Sequence, residues 1–259
     1  MPKVRLDQAV VARGMTQSRE LAQRLIMAGE VLVDGRVVDR PATAVAEGAE
    51  IVLKARPRFV SRGGEKLQAA LEAFRLDVSG AVCADIGAST GGFTDCLLKA
   101  GATRVYAIDV GHGILDQRLR GDPRVVVMES TNARYVEALP EPVSLVTIDA
   151  AFISLKLLLP AARQWLAAAP PSEAIGEDAP RVVREHPGVV ALIKPQFEAG
   201  EREVSKGRGV IRDPEVHERV LRDVFAFAEG DGWVVNGHIR SPLVGPKGNV
   251  EFLAWMVRR

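Results

Sequence analysis

The chemistry of this chain is concentrated first in Asp85-Ile86-Gly87-Ala88-Ser89-Thr90-Gly91-Gly92-Phe93-Thr94-Asp95. The apolar run Ala81-Val82-Cys83-Ala84 leads into it, and an amphipathic stretch through Leu97 and Leu98 follows. That order reads as a buried strand, a glycine-rich turn and a helix. Glycines at the turn let backbone pass close to a ligand and adopt positive φ, and the helix start offers free N–H groups. About 20 residues on, Ile108-Asp109 ends a second strand, where a carboxylate suits a ribose diol. The combination points to a nucleoside-bearing cofactor. The spacing is not G-x-G-x-x-G, and the lysine of a nucleotide-triphosphate loop is missing.

Four further polar residues stand where a ligand would meet them: Lys66, Asp149, Lys194 and Glu251. Asp149 ends a candidate strand, Lys194 ends another just before Pro195, Glu251 begins the last, and Lys66 begins a helix ahead of the first. Each alone is weak evidence. They gain meaning from the elements that must position them. Candidate strands run over 82–86, 104–109, 124–128, 144–149, 189–194, 233–239 and 250–257, with helical patterns in most gaps. Strands alternating with helices predict a doubly wound α/β sheet, whose ligands sit at the carboxyl ends of the strands. The last two strands are joined only by Arg240 to Asn249, too short for a helical crossover, and are expected to be antiparallel. The stretch from Pro170 to Gly188, rich in Pro, Glu and Asp, reads as a solvated insertion.

Residues 3 to 53 form a separate unit. Leu6, Val10 and Val11 recur at helical spacing. A second helix is expected over about Ser18 to Ala28, with Thr16 as a cap, Leu21, Ala22, Leu25 and Ile26 on one face, and Gly29 at its end. Val31-Leu32-Val33 and Val37-Val38 flank Asp34-Gly35, a hairpin signal, and Glu50 to Leu53 is a last short strand.

Composition narrows the class. The 259 residues allow one large domain with a small one, 47% are hydrophobic, and the formal net charge is +1. Charge is unevenly spread: net +4 through Lys66 and −3 beyond it, a modest hint of an anionic partner for the N-terminal part. Two cysteines, Cys83 and Cys96, make no disulfide framework. No Cys/His group has zinc spacing, and no metal is expected. Met1 to Asp7 does not read as a signal peptide. The apolar stretch from Val143 to Ala162 contains Asp149 and Lys156 and breaks at Pro160, so it reads as strand, loop and helix of a cytoplasmic protein without a membrane span.

Two resemblances sharpen these expectations. Arg5-Leu6-Asp7, Ser18-Arg19, Leu25-Ile26, Gly29, Val31, Val33-Asp34-Gly35 and Pro41 resemble the αL RNA-binding module of a small-subunit ribosomal protein. The resemblance implies RNA binding through the second helix and the hairpin, with Arg5, Arg13, Arg19, Arg24 and Arg36 as contacts. Lys66, Asp149, Lys194 and Glu251 match, in order and context, the K-D-K-E tetrad of FtsJ/RrmJ-like ribose 2′-O-methyltransferases. With Ser61 to Leu67, Ser89 to Asp95, Phe152-Ile153-Ser154-Leu155, Lys194 to Glu198, Lys206 to Val210 and Ser241-Pro242, the chain closely resembles the TlyA-type family, known both as rRNA methyltransferases and as haemolysins. Ala150-Ala151 stands where that family usually reads Val-Ser.

The resemblance implies a class I methyltransferase sheet, mostly parallel with an antiparallel last strand. It implies S-adenosyl-L-methionine as cofactor and rRNA or ribosomal subunits as partner, with cytidine as the nucleoside and a monomer or weak homodimer as the working form. The expected organisation is an RNA-binding domain over 1–54, a basic linker over 55–62 and a methyltransferase domain over 63–259. Gly87, Ser89, Thr90, Gly91, Gly92 and Phe93 would pass the methionine part, Asp109 the ribose, Asp85 the amino group, directly or through water, and Asn132 the adenine. A ribose hydroxyl must lose its proton as it attacks the sulfonium methyl, and an amine can take it only when neutral; either Lys66 or Lys194 could serve, oriented by Asp149 and Glu251. The alternatives are a non-enzymatic ribosome-assembly factor, against which the intact tetrad and glycine turn argue, and a cytolysin, for which the sequence offers no span and no barrel-like alternation.

Overall fold

In the second half of the chain, two short strands are buried at every position and nearly all apolar, sealed on both faces as inner strands of a parallel sheet are. These are Leu145–Ile148 and Gly188–Ile193. The computed structural model describes residues 3–54, 57–168, 180–245 and 247–259, and two compact units, Met1–Arg56 and Pro57–Arg259, account for the chain.

The first unit contains β1 (Lys3–Arg5), α1 (Leu6–Ala12), α2 (Arg19–Met27), β2 (Val31–Val33), β3 (Arg36–Val37), β4 (Ala44–Ala46) and β5 (Ile51–Leu53). β1 pairs antiparallel with β4, and β2 is the centre of a three-stranded sheet between β3 and β5. Asp34 and Gly35 join β2 to β3 with φ of 48° and 76°; two consecutive positive φ values make the tight hairpin turn that suits right-twisted strands. Leu6, Val10, Ala22, Ile26, Val31 and Ile51 form the core. The cap of α2 is Ser18, whose Oγ accepts from the Leu21 N–H, and not Thr16, whose own hydroxyl donates to the Ser18 carbonyl. Ser18 wins because it is the extended residue immediately before the first helical turn.

The second unit runs α3 (Gly63–Ala73), β6 (Leu76–Asp77), β7 (Val82–Ile86), α4 (Gly92–Lys99), β8 (Arg104–Ile108), α5 (Gln117–Arg120), β9 (Val125–Met128), β10 (Leu145–Ile148), α6 (Leu159–Trp165), β11 (Arg181–Val182), β12 (Gly188–Ile193), α7 (Pro195–Glu198), α8 (Glu201–Lys206), α9 (Pro214–Gly230), β13 (Trp233–Arg240) and β14 (Phe252–Arg258). Its seven-stranded sheet has the order β13-β14-β12-β10-β7-β8-β9. β9, β8, β7, β10 and β12 are mutually parallel, and β14 is antiparallel to both of its neighbours. The order reverses between β7 and β10, both of which start from the middle of the sheet. That switch point is where an open α/β sheet leaves a crevice for ligand.

Each face of the sheet is covered by helices. Leu67 and Leu71 of α3 and Phe93 and Leu97 of α4 pack over Cys83, Val105, Leu145 and Val190. Leu159 and Trp165 of α6 and Val220 and Val224 of α9 pack over Ala84, Ile86, Val146 and Ile148. The Cys83 and Cys96 thiols are buried in this core, and burial pushes Cys96 up to about 12.

Two expectations change. Of the expected linker, residues 55 and 56 lie outside the described residues, while Phe59 is buried beneath Gly64 and the Val60 N–H donates to Asp95. Residues from Phe59 onward are thus packed structure, because an aromatic side chain at the start of α3 finds an apolar seat. Of the expected insertion, 169–179 lie outside the described residues. The rest is only partly solvated: Arg184 and Glu185 are exposed, but β11 pairs in parallel with β6 and Val183 is fully buried. Among the described residues, no helix is long and apolar enough to cross a membrane; Val143 to Ala162 divides into β10, a loop, a 3₁₀ turn and α6.

Candidate active site

The carboxyl ends of β7, β8, β10 and β12 border a cleft of about 650 Å³, which the start of α3 also lines. Its walls are set by the backbone at Gly87. With φ of +80°, Gly87 brings β7 so close to the end of β10 that a Cβ there would lie 2.8 Å from the Asp149 carbonyl oxygen. The next residues are held to β8: the Gly87 and Ala88 N–H groups donate to the Ile108 carbonyl at 2.8 and 3.1 Å. Asp109, half-buried, completes the turn, accepting from the Ser89 N–H at 2.8 Å and the Gly111 N–H at 2.7 Å on different oxygens. One lone pair of each carboxylate oxygen is thereby used, and one remains for a hydroxyl. Ser89 and Thr90 are exposed on the cleft wall, with Gly92 and Phe93 behind them.

Lys66, Asp149 and Lys194 line the same cleft, and the four tetrad residues form two ion pairs. Lys194 Nζ lies 2.5 Å from Asp149 Oδ1, 2.9 Å from the Ala150 carbonyl and 3.4 Å from that of Asp149. Lys66 Nζ lies 2.6 Å from Glu251 Oε2, in a pair whose side chains are 12% and 2% exposed. Glu251 is not itself on the wall; it meets the cleft through Lys66. Its seat requires Gly245, where a Cβ would stand 2.6 Å from Glu251 Oε1. Residues 185 apart in sequence are joined this way because α3 enters the unit beside the start of β14. Two amine–carboxylate pairs, one lining the cleft and one reaching it through Lys66, can hold a hydroxyl, orient it and accept its proton.

Asp85 departs from the expected role. It is fully buried and off the cleft wall, its two oxygens accepting from the Thr94 hydroxyl at 2.7 Å and the Thr147 hydroxyl at 2.9 Å. It points into the sheet because its neighbours in β7, Ala84 and Ile86, take the opposite face. Burial pushes its carboxyl up to about 6, against the lowering by those two threonines. Gly91 also stands off the wall. Its φ of +94° and the lack of a Cβ, which would collide with Leu119 and Leu115, fit it to turn the chain into α4. Asn132 does line the cleft, and its Oδ1 caps the following 3₁₀ turn by accepting from the Arg134 N–H at 3.1 Å.

Several site residues had no role in the sequence reading. Phe152, just past β10, is 90% exposed on the rim at φ of 62° and lies 5.1 Å, centroid to centroid, from Phe197. Glu198 ties that rim loop down, accepting from Ser154 Oγ at 2.6 Å and the Leu155 N–H at 2.7 Å. Glu129 accepts from Arg120 and from the Ile114 and Leu115 N–H groups, fixing the loop that follows Asp109. The Arg120 guanidinium and the Gly113 N–H hold its carboxyl down to about 2. Phe152 and Glu198 stand in segments that carry the family resemblance, but beyond that the signal for all three is a carboxylate or aromatic residue a few positions past a strand end. Among the described residues, no group of His, Cys, Asp or Glu is arranged to hold a metal ion.

In the first unit, the five arginines expected to contact RNA divide. Arg24 and Arg36 are exposed. Arg5 and Arg19 both bond to Asp7. Arg13 is committed elsewhere: its two terminal nitrogens donate to the Ala49 and Glu47 carbonyls at 2.7 and 2.6 Å, so it ties α1 to the β4–β5 turn rather than standing free for phosphate.

Comparison with known proteins agrees with this geometry. Residues 4–51 match the S4 domain. The 16S/23S rRNA (cytidine-2′-O)-methyltransferase TlyA of Mycobacterium tuberculosis is 44% identical over 258 residues, spanning 98% of this chain and 90% of that protein. Hemolysin A of Brachyspira hyodysenteriae is 39% identical over 260 residues, spanning 98% of this chain and 100% of that one. A solved structure titled "Putative hemolysin from Streptococcus thermophilus" superposes with a TM-score of 0.71 at 42% identity, covering 100% of this chain and 89% of the other. Residues 59–258 match FtsJ-like methyltransferases, and the chain belongs to that family.

Proposed function

We propose that this protein transfers the methyl group of S-adenosyl-L-methionine to the ribose 2′-hydroxyl of a cytidine in rRNA. The observation that carries the reading is the pairing of Lys194 with Asp149 and of Lys66 with Glu251 beside a glycine turn closed by Asp109. The cleft suits the cofactor: at Gly87 no Cβ intrudes, and Asp109 keeps a free lone pair on each oxygen for a ribose diol. When bound, S-adenosyl-L-methionine supplies an electrophilic methyl on a sulfonium. Gly87, Ser89, Thr90, Gly92 and Phe93 would line its methionine part, Asp109 its ribose and Asn132 its adenine.

Lys66 and Lys194 do the proton work. Whichever of Lys66 and Lys194 is neutral would take the proton of the ribose hydroxyl, and its partner carboxylate would hold the ammonium so formed. Asp149 and the Ala150 carbonyl fix Lys194, and Glu251 fixes Lys66, so the hydroxyl meets amines whose positions are already set. The N-terminal unit would bring affinity for rRNA, with Arg5, Arg19, Arg24 and Arg36 facing solvent.

The test is methyl transfer from labelled cofactor to ribosomal subunits by wild type and Lys194→Ala, with ribose methylation mapped on the product. The variant should lose transfer while its cofactor affinity stays within about threefold, because only transition-state interactions are removed. Lys194→Arg should not rescue, since a guanidinium stays protonated. Near-normal turnover by Lys194→Ala would remove the tetrad from the mechanism.

A further inference from the structure

Among the described residues of the first unit, one carboxylate is fully buried: Asp7, at the start of α1. Five donors converge on it. Oδ1 accepts from Arg5 Nε and the Gln8 N–H, each at 3.0 Å. Oδ2 accepts from Arg5 Nη2 at 3.0 Å, Arg19 Nε at 2.9 Å and Gln23 Nε2 at 2.9 Å. The Arg5 guanidinium beside Asp7, helped by Gln23 and Arg19, holds its carboxyl well below the usual carboxylate range, so it stays charged.

The bonds use one edge of the Arg5 guanidinium and the inner nitrogen alone of Arg19. Arg5 donates through Nε and Nη2, which leaves Nη1. Arg19 donates through Nε, which leaves both terminal nitrogens. Their side chains remain 42% and 51% exposed. Two guanidiniums are therefore held across a single oxygen atom, on side chains about half exposed, with N–H groups not used on Asp7 and one positive charge in excess. A rigid pair of forks with a surplus charge suits a tetrahedral oxyanion. On a unit that matches an RNA-binding domain, the anion supplied is a backbone phosphate.

We infer that Asp7 is a positioning residue that aims Arg5 and Arg19 together at one phosphate of the RNA. The inference rests on the rRNA-binding reading of this protein. It separates Arg5 and Arg19 from Arg24 and Arg36, which bring charge without a fixed direction.

Asp7→Asn discriminates, because charge and orientation predict opposite signs. Removing an anion beside two arginines adds one positive charge, and charge alone predicts tighter RNA binding with a steeper salt dependence. Loss of orientation predicts weaker binding and a shallower slope. The measurement is the affinity of the full chain for rRNA fragments across salt concentrations, with thermal unfolding recorded for each variant. A folded Asp7→Asn should bind about five- to tenfold more weakly at moderate salt. The slope of log K against log salt should fall by about 0.7–0.9, the share of one phosphate contact. A purely structural role would shift the melting temperature and leave that slope unchanged in the folded protein.

Arg19→Lys covers the case in which Asp7→Asn does not fold. Lysine keeps the charge on an exposed side chain and leaves Asp7 with Arg5 and Gln23, but it cannot bond Asp7 and a phosphate through separate faces of one planar group. It should weaken binding about fivefold, where charge alone predicts no change. Binding by Asp7→Asn as tight as or tighter than wild type, or Arg19→Lys within twofold of wild type, would overturn the inference. Salt-independent or absent rRNA binding by wild type would instead refute the RNA-binding reading beneath it.

Discussion

Gly87→Ala puts the largest strain on the smallest change in this protein. At φ of +80°, the new Cβ would lie 2.8 Å from the Asp149 oxygen, 3.0 Å from the Asp149 carbonyl carbon and 3.1 Å from Ala150 Cα. All three are backbone atoms of the strand end that accepts bonds from Lys194, so no side chain can rotate away. Holding alanine in the left-handed region costs about 1–2 kcal/mol. Relieving the overlap by parting β7 from β10 costs about 1–3 kcal/mol more. Restricting the unfolded chain returns about 0.4–1 kcal/mol. The net loss should be about 1–5 kcal/mol, against a typical total of 5–15 kcal/mol. Gly80→Ala is the control: its φ is +72°, yet the nearest atoms to a Cβ are those of the Arg184 guanidinium at 3.6 Å, an ordinary contact. It should cost about 1 kcal/mol by the backbone term alone and leave turnover intact. Urea unfolding gives the stability difference, and methyl transfer assayed below both transitions gives the functional one. The reasoning requires Gly87→Ala to be the less stable by 1 kcal/mol or more and to lose most of its transfer, because the Asp149 and Ala150 carbonyls must shift. Equal stability of the two variants with full turnover for Gly87→Ala would refute it.

The buried Asp85 makes a prediction about pH. Burial raises its carboxyl from 3.8 to about 6, so between those values the folded state holds a proton that the unfolded state has released, and stability should fall as pH rises through that window. The loss is on the order of 3 kcal/mol once the pH is above 6. Asp85→Asn should flatten that decline in unfolding curves taken from pH 4 to 7, and an unchanged slope would show that Asp85 is already ionised at pH 4. The Lys66–Glu251 pair predicts a separation of stability from activity. Lys66→Met strands a carboxylate that is 2% exposed and should cost about 3–5 kcal/mol, while Lys66→Met with Glu251→Met should recover most of that loss but no methyl transfer. Recovery of transfer by the double variant would show that neither side chain is needed for the chemistry.

The sequence by itself determined what is local and periodic. Glycine spacing between an apolar run and an amphipathic stretch identified the turn after β7, because positive φ at Gly87 and Gly91 has few other solutions. Apolar runs of strand length gave the inner strands, since β10 and β12 are sealed on both faces and carry one polar side chain between them, Thr147, which bonds to Asp85. The short link between the last two strands gave the antiparallel β14, because a parallel partner would need a crossover. Asp34-Gly35 gave the hairpin of the first unit.

Tertiary structure decided what depends on direction and on distant partners. Asp85 and Asp109 are both acidic residues at or near strand ends and read alike in sequence. Asp85 lies within β7 and meets two threonines, from α4 and β10, in the buried layer, while Asp109 lies just past the end of β8 and lines the cleft. The sequence offers Lys66, Asp149, Lys194 and Glu251 as four separate positions; only the packing of α3 beside β14 and the register of β10 with β12 resolve them into two pairs. In the same way five arginines of one composition became a pair gathered on Asp7, one structural tie at Arg13 and two free charges. A side chain's partner is set by where the backbone aims it, and that direction is fixed by contacts far along the chain, which local spacing does not carry.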